Sequence, residues 1–266
     1  MTYVRNNALH CGPLPQHVTA PSFRSGTGFY ETLLYNGCRL VNADAHMERI
    51  TRSARACGLH LLPVDLHAAA QMLLDHLGLC GSMARINLFY TLESAPAADA
   101  SGLCPPLVPA VTAAPYTPPS ADKAFRLCRA LHGVQSWWHE HKTTAHMGHL
   151  MERTHAQAAG YDDAVLHLPD GAILETTTAA LIFYNGSRFT APFPRFRLSS
   201  TAEALVKDVL GITYEKITAD RLGCMQHAYV LNALMGMRPV RSIDTAEFNP
   251  DTDLCNEMTV LIQKAA

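Results

Sequence analysis

Lysine is scarce in this chain: among 266 residues there are five, Lys123, Lys142, Lys207, Lys216 and Lys264. The net charge is −2, the pI is about 6.7, and no basic run occurs. A nucleic-acid partner is therefore not expected, and a small anion would have to be held by local charges. No apolar stretch reaches the roughly 18 residues of a membrane span. The first residues, MTYVRNNALHCGPLP, lack the apolar core of a signal peptide. The eight cysteines, Cys11, Cys38, Cys57, Cys80, Cys104, Cys128, Cys224 and Cys255, include no CxxC and no paired spacing. That pattern predicts reduced, mostly buried thiols in a cytoplasmic protein. No HExxH is present. Of the 14 histidines, only His139, His141, His146 and His149 cluster. Their spacing does not put three ligands on one helical face, and zinc takes three or four from the protein, so no metal is expected.

What is present suits a folded protein. Hydrophobic residues make up 48% and charged residues 17% of the chain, enough to bury a core. The length fits one large domain or two smaller ones sharing a cleft. The clearest punctuation is GLCPPLVPAVTAAPYTPPS at 102–120, with six prolines. It suggests a boundary near 113–121, with a smaller N-terminal domain (1–115), a linker (116–122) and a larger C-terminal domain (123–266). Segments 29–35 and 38–41 flank Asn36-Gly37 and predict a hairpin. Helices are expected over 44–57, stopped by Gly58, and over 64–78. A strand is expected over 83–91. Beyond the linker, strands at 124–131, 163–168, 173–176, 180–184, 214–217, 227–233 and 239–243 accompany helices at 145–159 and 202–210. Strands and helices occur without regular βαβ alternation, which defines an α+β class.

Lys142 stands apart from the other lysines. It lies in SWWHEHKTTAHMGH, after Trp137-Trp138 and among histidines. Apolar and cationic neighbours disfavour an ammonium ion, which is what a Schiff-base lysine requires. Read alone, it is more simply a surface lysine at the start of a helix.

Three colinear segments decide between these readings. Residues 26–52 read GTGFYETLLYNGCRLVNADAHMERITR, residues 142–186 run from KTTAHMGH through GYDDAV and DGAILE to IFYNG, and residues 229–240 read YVLNALMGMRPV. Together they resemble the class IV aminotransferase family, which holds fold-type IV pyridoxal-phosphate enzymes such as D-amino acid aminotransferase, and they come closest to aminodeoxychorismate lyase. The resemblance implies a two-domain α+β fold with pyridoxal 5'-phosphate in the cleft between domains. It makes Lys142 the Schiff-base and proton-transfer residue. Glu175 would keep the pyridine nitrogen protonated, which makes the ring the better electron sink. Arg49 would hold the phosphate through paired hydrogen bonds. Backbone amides of Thr201 and Ala202, at a helix start, and of Ala233 and Leu234 would join it. His146 would meet the phenolic oxygen or cap the following helix. Alone, Glu175 reads as an exposed strand residue and Arg49 as a helix-surface arginine like Arg52 and Arg55. The chain departs from the family at RLSSTAEA, where Ser200 takes the place of the phosphate-turn glycine.

Thr32, the NALMG stretch and HKTT favour the lyase, which converts 4-amino-4-deoxychorismate to 4-aminobenzoate and pyruvate in folate biosynthesis. Lys142 would remove the ring proton and Thr32 would protonate the departing enol; as a β-branched residue Thr32 is also simply a good strand former. The alternative is a transaminase moving an amino group between a branched-chain or D-amino acid and a 2-oxo acid. A catalytically inactive relative serving as a binding module is the third reading. Arg85, Tyr90, Arg197 and Arg238 are candidates for the substrate carboxylate. By the same resemblance the partner is a small amino substrate and the assembly a homodimer.

Overall fold

A computed structural model describes residues 1–94 and 105–265. Cys104 and the start of the proline-rich stretch, 102–104, lie outside the described residues. The chain divides into two compact units: 1–117 with 141–146, and 118–140 with 147–265. Residues 141–146, which hold Lys142, thus cluster with the first unit, whereas the sequence assigned them to the C-terminal domain.

The first unit is built from β1 (Thr2–Arg5), β2 (Ala8–Cys11), α1 (Pro21–Ser25), β3 (Gly28–Asn36), α2 (Ala43–Ala56), α3 (Leu66–Leu77), β4 (Met83–Thr91) and β5 (Val108–Pro115). Its five strands form an antiparallel sheet in the order β2-β1-β5-β4-β3. β3 and β4 pair along their full lengths, from Gly28 opposite Thr91 to Asn36 opposite Met83. Side chains alternate across a strand, so Phe29, Glu31, Leu33 and Tyr35 share one face of β3, and Tyr30, Thr32 and Leu34 the other. The first face packs on α2 and shares one buried cluster with Ile50 and Ala54 of α2, Ile86 and Leu88 of β4, and Leu66, Leu73 and Leu74 of α3, which lies over β5 and β1. α3 starts with Asp65 accepting from the Ala68 N–H at 2.9 Å and ends at Gly78 in the left-handed region, a usual pair of start and stop devices.

Two expectations for this unit change, and one for the cysteines of both units. Residues 38–41 form a tight turn with a single bridge, Tyr35 to Leu40, rather than a strand. Asn36 Oδ1 accepts from the N–H of Cys38 and of Arg39, both at 3.1 Å, which curls the chain back before pairing can extend. The proline-rich segment contains β5. Pro109 and Pro115 are tolerated because β1 pairs only with Val111 and Thr112, so the missing N–H groups fall where β5 has a partner on one side alone. The thiols are not mostly buried: Cys11, Cys38, Cys80 and Cys224 are exposed, Cys57 and Cys128 intermediate, and only Cys255 is buried among the described residues. The exposed ones lie at turns, helix ends and the edge strand β2, which the even scatter of cysteines did not reveal.

The second unit contains β6 (Phe125–Arg129), a 3-10 turn at Trp137–Glu140, α4 (Met147–Ala158), β7 (Asp163–His167), β8 (Ile173–Thr176), β9 (Ala180–Tyr184), β10 (Phe189–Pro192), α5 (Thr201–Leu210), β11 (Thr213–Glu215), β12 (His227–Asn232), β13 (Gly236–Ile243), β14 (Ala246–Glu247) and α6 (Thr252–Lys264). Its strands run β11-β10-β9-β12-β13-β6-β7-β8, with β14 beside β13. Alternation splits the core into two layers. Leu181, Phe183, Ala228 and Val230 point to one side, with Ile217, Leu222 and Phe248. Ala180, Ile182, Tyr229 and Leu231 point to the other, against Val206 of α5 and Cys255, Met258 and Ile262 of α6. The sequence reading missed α6. Its signals were the Asp251 cap, which accepts from Leu254 N at 3.2 Å, and the 255/258/262 apolar spacing.

Residues 142–144 attach to the start of β3. The Tyr30 N–H donates to Lys142 O at 2.9 Å and the Thr144 N–H to Gly28 O at 3.0 Å. Thr144 Oγ1 donates to Gly26 O at 2.6 Å. This explains the two glycines of GTG. Gly26 has φ +61°, and a Cβ there would lie 2.8 Å from Ala145 Cα; at Gly28 a Cβ would lie 2.4 Å from Tyr90 O. Both obstacles are backbone, so they cannot swing away. Gly28→Ala is expected to destabilise the protein by roughly 1–3 kcal/mol, read as a lower urea midpoint of the purified protein.

Candidate active site

The Lys142 amine stands 4.3 Å from the centroid of the Tyr30 ring. Of the five lysines it alone is not exposed. The same ring stacks on Phe89 at 6.2 Å and meets His146 edge-on at 5.7 Å. The aromatic neighbour of the lysine is therefore Tyr30. Trp137 and Trp138, on which the sequence argument leaned, pack against one another at 4.6 Å and remain 41% and 54% exposed. The residue before the lysine is fixed too: His141 Nδ1 lies 3.1 Å from Ser53 Oγ of α2. Burial, then the charge of Glu31, raises the Tyr30 phenol to about 12, with Arg49 acting the other way. Tyr30 thus holds its proton more firmly than an exposed phenol does.

Behind this face lies a buried charge cluster. Glu31 accepts from Arg49 Nε at 2.7 Å and Nη2 at 2.5 Å, and from His46 Nδ1 at 2.7 Å. Glu31 and His46 are almost wholly buried and Arg49 is 6% exposed. Arg52 and Arg55 on the same helix are exposed, so Arg49 is not a helix-surface arginine. The fork of two parallel bonds fixes the plane of its guanidinium. Burial alone would raise the Glu31 carboxyl, but the Arg49 charge and the bonds from His46 and Arg49 bring it down to about 2.

In the second unit Glu175, on β8, is 7% exposed, not an exposed strand residue. Its Oε1 accepts the Leu198 N–H at 2.8 Å. Arg197, next in the chain, is clasped by Glu203 at 2.8 and 2.9 Å and also donates to Pro192 O at 3.1 Å. Arg197 is thereby a buried brace for the first turn of α5 and not a surface substrate ligand. Ser200, at the place of the family's glycine, caps α5: its φ is −77° and its Oγ accepts from Glu203 N at 3.2 Å. Serine costs nothing here, because the position needs no left-handed backbone. Thr201 and Ala202 occupy the first turn, where backbone N–H groups have no intrahelical acceptor and favour an anion.

The remaining candidates divide. Asn232 Oδ1 accepts from Leu234 N at 3.0 Å and Met235 N at 2.9 Å. Leu234's amide is thus spent on the turn, and Ala233 is the candidate that stands. Tyr90 is 1% exposed, faces the core beside Ile86 and Leu88, and donates to Leu62 O at 2.9 Å; it is a packing residue. Arg238 is 4% exposed and donates to Met237 O at 2.8 Å, Thr259 Oγ1 at 3.0 Å and Pro119 O at 3.2 Å, which also makes it structural. Arg85 is exposed on the Tyr30 side of the sheet, opposite Leu34. Thr32 is on that side as well, and its hydroxyl donates to Asn87 Oδ1 at 3.0 Å. The histidine cluster is dispersed: His139 and His149 meet edge to face at 5.4 Å, while His146 serves the Tyr30 ring. Sequence reasoning missed Tyr30, Glu31, His46 and Asn87. The 46/49 spacing on α2 was a signal for the second and third; the pairing of Asn87 with Thr32 left none.

The first unit thus carries a half-buried amine and a braced guanidinium, and the second a buried carboxylate and a capped helix start, which are the kinds of group that the aldehyde, ring nitrogen and phosphate of pyridoxal phosphate call for. The sequence matches the family Amino-transferase class IV over residues 28–243. Comparison with curated proteins gives no match. Among solved structures, the branched-chain aminotransferase from Thermoproteus uzoniensis with norvaline superposes with a TM-score of 0.85 at 18% identity, covering 99% of this chain and 94% of that one. The T.th. branched-chain amino acid aminotransferase with pyridoxamine 5'-phosphate gives 0.83 at 17%, covering 97% and 92%. A hypothetical aminotransferase from Mycobacterium tuberculosis in its PLP-bound form gives 0.78 at 17%, covering 98% of each chain. At such identities the likeness speaks for the fold. The chain belongs to the class IV aminotransferase family, and its cofactor is pyridoxal phosphate. No helix of the described residues is long and apolar enough to cross a membrane.

The Glu31 cluster yields a stability prediction. A carboxyl held near 2 instead of its ordinary 4.5 stabilises the fold fully above about pH 4.5, and that contribution fades as pH falls toward 2. Glu31→Gln leaves Arg49 and His46 buried without their anion and is expected to cost roughly 3–5 kcal/mol at pH 7. Urea unfolding between pH 7 and pH 3 should show a shallower acid loss in the variant than in the wild type.

Proposed function

We propose that this chain is a transaminase that moves an amino group between an amino acid and a 2-oxo acid. The observation that carries the reading is the state of Thr32: its one hydroxyl hydrogen is given to Asn87, while the Lys142 amine stands on the Tyr30 ring on the same side of β3. Transamination needs one amine to move a proton at the substrate's amine-bearing carbon. Lyase chemistry asks in addition for an acid to protonate a departing enol, and a hydroxyl already donating elsewhere is poorly set for that.

When bound, the pyridoxal ring draws electrons from the substrate carbon and carries the amino group between half-reactions. In the proposed site Lys142 would hold the cofactor aldehyde, and its amine would move the proton at the substrate's amine-bearing carbon. Glu175, oriented by Leu198, would keep the ring nitrogen protonated. Arg49, aimed by Glu31, would be the first unit's ligand for the phosphate, and the amides of Thr201, Ala202 and Ala233 the second unit's. His146, beside Tyr30, would meet the phenolic oxygen. Arg85 is the remaining candidate for a substrate carboxylate. The branched-chain aminotransferases among the similar folds support amino-acid donors, and the family resemblance supports a cytoplasmic homodimer.

The second reading is aminodeoxychorismate lyase, favoured by a threonine on the lysine's side of β3. Purified holoenzyme separates the two. Borohydride reduction and peptide mapping should label Lys142, and Lys142→Ala should lose both the label and activity. Amino-acid donors such as L-leucine or D-alanine with 2-oxoglutarate should give glutamate. Release of 4-aminobenzoate from aminodeoxychorismate, without amino transfer, would reverse the assignment.

A further inference from the structure

We infer that Thr32 and Asn87 form a specificity-determining pair that selects an amino acid with a neutral hydrogen-bonding side chain, a hydroxyl or a carboxamide, over its aliphatic isostere. The inference rests on the transaminase reading and goes further by naming the substrate class.

The argument starts from strand register. Tyr30 pairs with Phe89, Thr32 with Asn87 and Leu34 with Arg85. Alternation puts all six side chains on one face of the sheet, the face on which the Lys142 amine stands. Neighbours on one face of a strand are about 6.6–6.8 Å apart. A group two to four bonds from the carbon that Lys142 serves therefore comes within reach of the Thr32–Asn87 pair.

That pair has hydrogen-bonding capacity to spare. Both residues are partly accessible, and among the described residues the Asn87 side chain is bonded only to Thr32, through its oxygen. Its two amide hydrogens are unspent, and the Thr32 oxygen keeps its lone pairs. Donors and an acceptor thus stand side by side. A hydroxyl or a carboxamide matches both. A carboxylate offers acceptors only and would set its charge against the Thr32 lone pairs. An isopropyl or isobutyl group would strip water from both residues and replace none of its bonds. Leaving a polar group unpaired in this way costs roughly ten- to a hundredfold in binding.

The test is a stopped-flow titration of the holoenzyme with amine and no acceptor, in which the amplitude of the fast change in visible absorption reports binding before the slower conversion of the cofactor. Threonine against valine and asparagine against leucine are the near-isosteric pairs, each in both enantiomers. The wild type should bind the polar member about tenfold or more tightly. Asn87→Leu should bring the ratio to within about twofold, chiefly by weakening the polar ligand; Thr32→Val, which conserves shape, is the second variant if the first does not load cofactor. Equal or inverted affinities in the wild type, or an unchanged ratio in either loaded variant, would overturn the inference. Selective binding without amino transfer would sink the transaminase reading while leaving the role of the pair intact. Amino transfer without selectivity would do the reverse.

Discussion

Everything proposed for the site depends on a short antiparallel contact between residues 142–144 and the first residues of β3. A lysine side chain is long and flexible, with about 2 kcal/mol of rotamer entropy to lose. Here its base is clamped by main-chain bonds to Gly28 and Tyr30, and its tip rests on the ring of the same Tyr30. One strand thus supplies both the anchor and the platform. The glycines at 26 and 28 are the condition for this, since any side chain there would meet backbone.

Two buried arginine–carboxylate forks perform related tasks. Glu31 grips Arg49 and Glu203 grips Arg197, each through two hydrogen bonds. Such pairs are weak evidence for stability, because desolvation offsets much of their attraction. What they provide is direction. The first sets the plane of a guanidinium suited to a phosphate. The second holds the loop whose Leu198 amide engages Glu175 and whose Ser200 caps α5. The turn that looked like a defect against the family pattern is therefore a capped helix start of ordinary geometry.

The local elements were readable where a local cause makes them. α2 and α3 carry apolar spacing with a glycine at or just past the end, and β4 matches its expected bounds. Misreadings arose where partners compete. Asn36 captures two amides and cuts short the second hairpin strand. β5 persists through prolines because its partner on one side is short. α6 was passed over although a cap and an apolar stripe announce it.

The sequence by itself determined the family and, through it, the cofactor, by three colinear motifs; Lys142, Glu175 and Arg49 are the residues those motifs put forward. It could not say which residues stand beside them. Whether Trp138 or Tyr30 backs the amine, whether Tyr90 faces ligand or core, and whether Thr32 has a hydrogen to give are set by contacts between segments far apart in the chain. Strand register and face are collective outcomes of core packing, since a shift of one residue sends every side chain to the opposite side. The tertiary structure alone decided them.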